Sequence, residues 1–361
     1  MHQLEAARAM FAPTRGYLNA ATMGLPPRQV VSAMQDALLA WQVGDGCPVA
    51  YDEAVTAART AYARLVRVST GQVAVGSQTS VFAGTVAASL PPGSEVVVVA
   101  EDFTSIVFPF LVQARRGVQV RQVPRTELAG AVRDSTDLVV FSLAQSACGR
   151  LVDLEEVTEA ARRHGALTFC DVTQAAGWFP LEAAQFDLTV CSAYKWLCQP
   201  RGTAYLTLRP EVMDRIVPVN AGWYAGESVW ESVYGPQMHL AQDARRFDVS
   251  PAWLSWVGAA AAGEVFDTVP TAQIRDHDVA LADALRDRLG MTEQRRPVVT
   301  VPDPDGRVSL ALQHAGATVA SRAGAVRLAF HLWNDADDVE LAAEAVRSAT
   351  TDRPPARRPA D

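Results

Sequence analysis

The chain is almost without lysine. Among its 361 residues Lys195 is the only one, and every other side chain that stays cationic at neutral pH is an arginine. Because a lysine amine can act as a nucleophile or a base and a guanidinium cannot lose its proton, a single retained amine indicates a chemical role. A surface lysine at the end of a strand is the ordinary alternative. The residues around Lys195 decide between these two interpretations.

Long apolar runs, paired cysteines and an excess of positive charge are missing as well. No apolar run approaches the ~20 residues of a membrane span, and residues 1–8 lack the apolar core of a signal peptide, so we expect a cytoplasmic protein without a membrane partner. The five cysteines are odd in number and include no C-x-x-C pair, which indicates reduced thiols; no metal site is predicted. A net charge of -8 gives binding to nucleic acid no electrostatic support.

What the sequence does contain is an alternation of strand-like and helix-like segments between about residues 70 and 195. The predicted strands are 73–76, 95–100, 118–123, 137–142, 166–170 and 186–190. This alternation predicts a doubly wound α/β fold with a mostly parallel sheet. A further strand, 202–208, follows Lys195 too closely for a crossover helix and is expected to run antiparallel. The length of the chain suggests two domains.

An acid and the lysine follow two neighbouring strands of this predicted sheet. Asp171 ends the strand 166–170, Lys195 follows the strand 186–190, and Gln174 lies between them. Pyridoxal phosphate needs an amine that can bond to its aldehyde and an acid that can pair with its pyridinium nitrogen. The two residues therefore predict a site for pyridoxal 5'-phosphate at the carboxyl edge of the sheet.

These residues also carry a resemblance to a known family. The pair Asp171-x-x-Gln174 and Ser192-x-x-Lys195 resembles the fold-type I pyridoxal phosphate enzymes, and more closely the class V aminotransferases: cysteine desulfurases, kynureninases and isopenicillin N epimerases. A tyrosine directly before the lysine, Tyr194 here, is similar to the pattern in kynureninase. The segment K-W-L that begins at Lys195, followed by P-R-G from residue 200, is similar to the epimerase-like branch. The resemblance extends from about residue 17 to residue 343.

The resemblance implies an architecture. It consists of a large domain with a mostly parallel, seven-stranded sheet between helices, and a smaller α+β domain at the C-terminal end. We expect residues 1–20 to pack on the small domain, 21–250 to form the cofactor-binding domain, and 251–350 to form the small domain. The tail 351–361 interleaves proline with arginine and is expected to be disordered. The family also implies a homodimer with shared active sites.

The resemblance further assigns roles around the cofactor ring. Lys195 would be the catalytic residue and would hold pyridoxal phosphate covalently, Asp171 would pair with the ring nitrogen, and Gln174 would donate to the ring oxygen. Phe103 follows the strand 95–100 where desulfurases place a stacking histidine, so it is the candidate stacking ring. A core position is the alternative for such an apolar aromatic residue.

The cofactor phosphate is expected at the strand–turn–helix segment 73–80. Backbone N–H groups at a helix N-terminus, together with hydroxyls, form an anion site; simple N-capping is the alternative. Family resemblance places the phosphate there, with contacts from Gln78, Thr79, Ser192, Tyr194 and the partner's Ser250. Ser250 stands where the family has a Gly-Thr pair, and its hydroxyl can still donate.

Three further residues are expected to contact the substrate. The resemblance implies that Arg327, on a predicted strand, would grip the amino acid carboxylate with its forked guanidinium; a surface ion pair is its alternative. It also implies that Asn19 would lie near the same carboxylate, with a plain turn as the alternative, and Gln145 follows a strand at the ligand-binding edge. The aromatic residues between 223 and 234 are expected to wall the substrate pocket.

The reaction is less constrained than the cofactor. Desulfurases need a mobile cysteine late in the chain, and none follows Cys198, so persulfide formation is disfavoured. Reaction through a Cα carbanion leaves several outcomes. Our leading hypothesis is cleavage of a C–S bond by β-elimination from a cysteine S-conjugate in bacterial secondary metabolism. Transamination, decarboxylation-coupled oxidative deamination and epimerisation are alternatives, and a non-catalytic protein with this fold is an alternative of another class.

Overall fold

The computed structural model describes residues 2–351. Its strands are β1 (Val73–Gly76), β2 (Glu95–Val99), β3 (Gln119–Val123), β4 (Thr136–Ser142), β5 (Leu167–Asp171), β6 (Leu188–Ser192), β7 (Ala204–Leu208), β8 (Val298–Pro302), β9 (Ala320–Arg322) and β10 (Ala325–Ala329). Its helices are α1 (His2–Arg8), α2 (Arg28–Gln42), α3 (Pro48–Leu65), α4 (Thr79–Ala88), α5 (Thr104–Val112), α6 (Leu128–Ala131), α7 (Leu154–His164), α8 (Trp253–Thr268), α9 (Thr271–Arg288), α10 (Arg307–His314) and α11 (Ala336–Thr351). The predicted disordered tail lies outside the described residues, except for Thr351.

The first seven strands form one sheet in the order β1-β7-β6-β5-β4-β2-β3. The strands β3, β2, β4, β5 and β6 run parallel, whereas β7 is antiparallel to both of its neighbours. The mostly parallel sheet and its antiparallel last strand are therefore confirmed. Because β4, β5 and β6 are parallel neighbours, the polar residues that follow them gather at one edge of the sheet.

Helices cover both faces of this sheet, because successive side chains of each strand point to opposite sides. Val97 and Val99 pack into a core shared with α3, α7 and α8. Val96 and Val98 pack into a second core, shared with α4 and α5. The α/β architecture predicted from the alternation of strands and helices is thus the observed one. No helix within residues 2–351 combines the length and apolarity needed to cross a membrane.

A second, antiparallel sheet has the order β8-β10-β9 and packs against α9, α10 and α11. The N-terminal segment reaches this smaller unit, since the Leu18 N–H donates to the Thr318 carbonyl at 3.0 Å. Helix α8 packs on α2 and α3 instead. The division into 1–20, 21–250 and 251–350 stays a proposal, and the packing of α8 favours a domain boundary at the C-terminal end of that helix.

Candidate active site

Lys195 lies three residues beyond the end of β6 and is 6% exposed. Its Nζ is 5.4 Å from the centroid of the Phe103 ring and 5.7 Å from that of Tyr194. Burial lowers the pKa of the amine to about 8; the Asp171 carboxylate opposes this shift and the Arg327 charge adds to it. The only lysine is therefore a buried amine that can exchange a proton near neutral pH.

Asp171 ends β5 and pairs with Val190 of the adjacent β6, so it shares the carboxyl edge of the sheet with Lys195. Its Oδ1 accepts a hydrogen bond from the Thr173 N–H at 2.8 Å. Burial raises the pKa of Asp171 to about 6, although hydrogen bonds from Thr173 and the charge of Lys195 lower it. Such a carboxyl group is suited to a buried cationic partner, because the partner stabilises its ionised form.

The N-terminus of α4 meets the end of β6 at the same edge. The Thr79 N–H donates to the Ser192 Oγ at 3.0 Å, and the two hydroxyl oxygens are 2.9 Å apart. Gln78 precedes the helix in an extended conformation. The guanidinium carbon of Arg201 lies 4.6 Å from the centroid of the Tyr194 ring. Hydroxyls, backbone N–H groups and a guanidinium therefore converge, as an anion site requires.

A cavity joins these groups, and its described lining contains eight of the predicted site residues. These are Gln78, Thr79, Phe103, Asp171, Gln174, Ser192, Tyr194 and Lys195. Phe103 is 44% exposed, so the alternative of a core position for this ring is wrong; its stacking on the cofactor stays a prediction. The lining also contains Ser146, the neighbour of Gln145, and four residues that were given no role from the sequence: Ser105, Ser142, Thr173 and Arg201. The hydroxyl of Thr173, two residues after a strand-end acid, could have been identified from its position.

The other four predicted residues do not belong to the lining of this cavity. Ser250 is exposed to solvent. Asn19 forms a bridge with Ala329, and its Oδ1 is buried without a hydrogen-bond partner. Gln145 is also buried, with its Nε2 unpartnered. Arg327 donates to the backbone carbonyl of one residue of the lining, Ser146.

Arg327 lies in β10 and is 1% exposed. Its Nη2 donates to the Thr22 Oγ1 at 2.7 Å and its Nη1 to the carbonyl of Ser146, while its Nε has no partner. Burial lowers the pKa of the guanidinium to about 10, and the charge of Arg322 adds to this effect. Among the described residues no carboxylate pairs with Arg327, so the surface ion pair considered as an alternative is wrong. A buried cation without an acid retains donors for an anionic ligand.

Gln174 is held firmly by its surroundings. Its Nε2 donates to the Ala21 carbonyl at 3.0 Å and to the Ser146 Oγ at 3.3 Å, and its Oε1 accepts from the Trp196 Nε1 at 2.8 Å. The predicted donation to the cofactor's ring oxygen therefore requires its amide to be shared with, or released from, one of these acceptors.

Asp102 is a buried acid of the site that received no role from the sequence. Its carboxylate accepts from the Ser142 N–H at 2.7 Å, the Ser142 Oγ at 2.6 Å and the Phe103 N–H at 2.7 Å. Burial raises the pKa of Asp102, and these hydrogen bonds oppose the rise. The acid therefore fixes two residues of the cavity lining, Ser142 and Phe103.

The aromatic residues between 223 and 234 do not line this cavity. Trp223 packs on Trp230 at 5.4 Å between ring centroids, and the Tyr224 hydroxyl donates to Asp52 at 3.0 Å. None of these rings belongs to the described lining of the cavity around Lys195. The prediction that they wall the substrate pocket is therefore wrong for this cavity.

The residues present fit pyridoxal 5'-phosphate. A buried amine with a lowered pKa suits the aldehyde, a buried acid with a raised pKa suits the ring nitrogen, and the helix N-terminus with its hydroxyls suits the phosphate. Among the described residues, Arg327 contacts Ser146 of the lining, and its buried Nε has no hydrogen-bond partner. Such atoms are rare in a folded protein and indicate a ligand or water.

Comparison with known proteins agrees with this fit. Residues 17–322 match the family model of aminotransferase class-V. An uncharacterized aminotransferase of Bacillus subtilis, YcbU, is 26% identical over 314 residues, which cover 81% of this chain and 83% of the relative. Kynureninase of Salinispora tropica is 27% identical over 362 residues, covering 90% and 84%. The solved structure of the cystine C-S lyase C-DES with its product cysteine persulfide shares the fold, with a TM-score of 0.83, 19% identity, and coverage of 92% and 97%.

The family model extends over most of the chain, and the fold and site chemistry agree with it. The chain belongs to the aminotransferase class-V family and is a fold-type I, pyridoxal 5'-phosphate-dependent enzyme.

Proposed function

We propose that the enzyme cleaves the C–S bond of an S-substituted cysteine by β-elimination, with water entering and a thiol, pyruvate and ammonia leaving. The observation that carries this proposal is the composition of the cavity, which has one buried amine as its base and no thiol in its described lining. Elimination needs only removal of the Cα proton and departure of the β-substituent. A setting in bacterial secondary metabolism stays a prediction.

The positions of the cysteines disfavour a desulfurase reaction through a protein-bound persulfide. Cys170, Cys191 and Cys198 are buried, and Cys47 is exposed outside the cavity lining. Burial raises the pKa of the Cys170 and Cys191 thiols, which makes them poor nucleophiles. Cys148 is partly exposed but does not belong to the described lining either. A substrate that releases its own thiol requires none of them.

The proposed roles follow from the charges and positions of the side chains. When bound, pyridoxal phosphate supplies an electron sink for the Cα of the substrate. Arg327 binds the substrate carboxylate with a guanidinium that has no acid partner. Asp171 stabilises a proton on the ring nitrogen. Lys195 takes the Cα proton, because its lowered pKa leaves much of the amine neutral just below pH 8.

Transamination is the second candidate, and the name of the Bacillus subtilis relative favours it. In transamination the same amine would remove the Cα proton and return a proton to the cofactor, which would keep the amino group. The two reactions differ in their products and in their need for a keto acid acceptor. Decarboxylation and epimerisation are likewise distinguished by their products.

Incubation with S-substituted cysteines is expected to release equal amounts of thiol and pyruvate, and no keto acid acceptor needs to be added. Alanine and free cysteine are expected to be poor substrates. Thiol is measured with a disulfide reagent and pyruvate by coupled reduction. Transfer of the amino group to a keto acid, or release of carbon dioxide, without any thiol would contradict elimination.

We also propose that the enzyme is a homodimer in which Ser250 completes the phosphate site of the neighbouring subunit. Asp248 supports this proposal, because it anchors the segment: its Oδ2 is 2.6 Å from the Arg59 Nη2 and its Oδ1 accepts from the Val75 N–H at 2.7 Å. The buried ion pair holds the backbone, and Ser250 is left exposed two residues later.

The variant Ser250→Ala is expected to weaken cofactor retention by about 1.5–3 kcal/mol, because one hydrogen bond to a charged group is lost. Equilibrium dialysis measures this change. Ser348→Ala is the control, since its hydroxyl donates to the carbonyl of Ala345 within α11. A fully active monomer in sedimentation and kinetic measurements would contradict the proposal.

A further inference from the structure

A histidine and an aspartate form a fully buried pair behind the lysine segment. His331 follows β10, Asp278 lies in α9, and both are 0% exposed. The His331 Nδ1 is 2.9 Å from the Asp278 Oδ2, and its Nε2 is 2.9 Å from the carbonyl oxygen of Trp196. The pair thus joins the smaller domain to the residue that follows Lys195.

The acceptors around His331 determine its protonation. A carbonyl oxygen can only accept, so Nε2 must carry a hydrogen, and Nδ1 faces a carboxylate. Burial alone would lower the pKa of His331, but the charge and hydrogen bond of Asp278 raise it to about 10. The other titratable groups that face the ring are His277, beside Asp278, and Cys198. His331 is therefore a charged double donor across the neutral pH range.

The carbonyl that His331 binds belongs to a strained turn. The Cys198 N–H donates to the Lys195 carbonyl at 3.1 Å, and Cys198 has a φ of 56°, in the left-handed region. A non-glycine residue there costs of order 1–3 kcal/mol and persists only where its surroundings fix it. Two glycines pack closely on the turn: a Cβ at Gly177 would lie 2.5 Å from the Trp196 oxygen, and one at Gly24 would lie 1.9 Å from the Lys195 oxygen.

Trp196 also connects the pair to the cofactor side of the site. Its indole Nε1 donates to the Gln174 Oε1 at 2.8 Å, while its carbonyl accepts from His331. Gln174 belongs to the lining of the cavity. The residue after the lysine is therefore held at both ends, by the smaller domain through its backbone and by the sheet edge through its side chain.

We propose that His331, paired with Asp278, is a positioning residue that sets the placement of the Lys195 amine by holding the Trp196 carbonyl. The inference rests on the proposed role of Lys195 as the base. The placement of the Lys195 amine then depends on how the smaller domain packs against the seven-stranded sheet, since His331 and Asp278 both lie outside that sheet.

The single lysine allows a direct test on the whole 361-residue chain after removal of the cofactor with hydroxylamine. Reductive methylation with ¹³C-formaldehyde labels Lys195 and the terminal amine, whose NMR signals titrate separately. The pKa of Lys195 in the wild type is expected near 8. The variant His331→Leu removes the donor, and the lysine pKa is then expected to rise by about one unit or more, toward its ordinary value of about 10.4.

Two further variants separate an effect on the placement of the Lys195 amine from an effect on the stability of the fold. Asp278→Asn keeps a neutral histidine that donates to Trp196, so the lysine pKa is expected to stay close to the wild-type value. His331→Asn, whose shorter amide does not reach the carbonyl, is expected to raise the lysine pKa as leucine does, and it replaces His331→Leu if that variant does not fold. The control is His164→Leu, because His164 pairs with Asp134 at 2.6 Å on the outside of the protein.

A folded His331→Leu or His331→Asn variant with an unchanged lysine pKa would overturn the proposal. If the pair were purely structural, both variants would lose thermal stability while the pKa of Lys195 stayed unchanged. The stability that the ion pair contributes is expected in full below about pH 6.5 and is lost as pH rises toward 10, because the folded pKa of His331 lies above its ordinary value. The titration uses no cofactor, so it remains informative even if Lys195 is not the residue that binds pyridoxal phosphate.

Discussion

Replacement of Lys195 by alanine is expected to abolish covalent attachment of pyridoxal phosphate. The chain contains no other lysine, and a guanidinium cannot form the bond. The purified wild type is expected to be yellow, and borohydride is expected to bleach it and to fix the cofactor on the peptide that contains Lys195. Absorbance spectra and peptide mass spectrometry measure both results.

The matched control for this experiment is Lys195→Arg, which retains a positive charge without a reactive amine. It is expected to lose covalent attachment as completely as the alanine variant while keeping the fold. If borohydride fixed cofactor to the terminal amine alone, or fixed none, the assignment of Lys195 would be wrong. Attachment is also expected to be faster above pH 8 than below it, because the amine is then mostly neutral.

The variant Arg327→Gln is expected to reduce kcat/KM for an S-substituted cysteine while the spectrum of the bound cofactor stays unchanged. The guanidinium is 1% exposed and has no acid partner among the described residues, so its loss removes the charge that receives the substrate carboxylate. Truncating one partner of a buried charge pair costs about 2–5 kcal/mol, or roughly 30- to 5,000-fold.

The control for Arg327 is Arg288→Gln, since Arg288 pairs with Glu340 on the outside of the smaller domain. This variant is expected to retain wild-type kcat/KM. Spectral titration with substrate separates binding from catalysis in both variants. An Arg327→Gln enzyme with unchanged kcat/KM would show that the carboxylate binds elsewhere, and a changed cofactor spectrum would place Arg327 against the cofactor instead.

The sequence alone determined the sheet and the two residues at its edge. Alternating strands and helices imply a parallel sheet, and parallel strands bring their carboxyl ends together, so Asp171 and Lys195 had to be neighbours wherever the rest of the chain lay. The antiparallel β7 followed from the short distance along the chain between it and β6. These features depend on local patterns and on connection length, both of which can be read from residues.

Only the tertiary structure decided how the elements of the seven-stranded sheet meet those of the three-stranded sheet. The contacts of Arg327 with Ser146 and Thr22 join residues 181 and 305 positions apart, and the bond from His331 to Trp196 spans 135 positions. The same holds for the aromatic residues near Trp223, whose composition favoured a pocket but which pack away from the cavity. Local propensity and periodicity place a side chain on its own element. Which side chains from distant elements share a cavity depends on the packing of the whole core and on how the two sheets and their helices pack together.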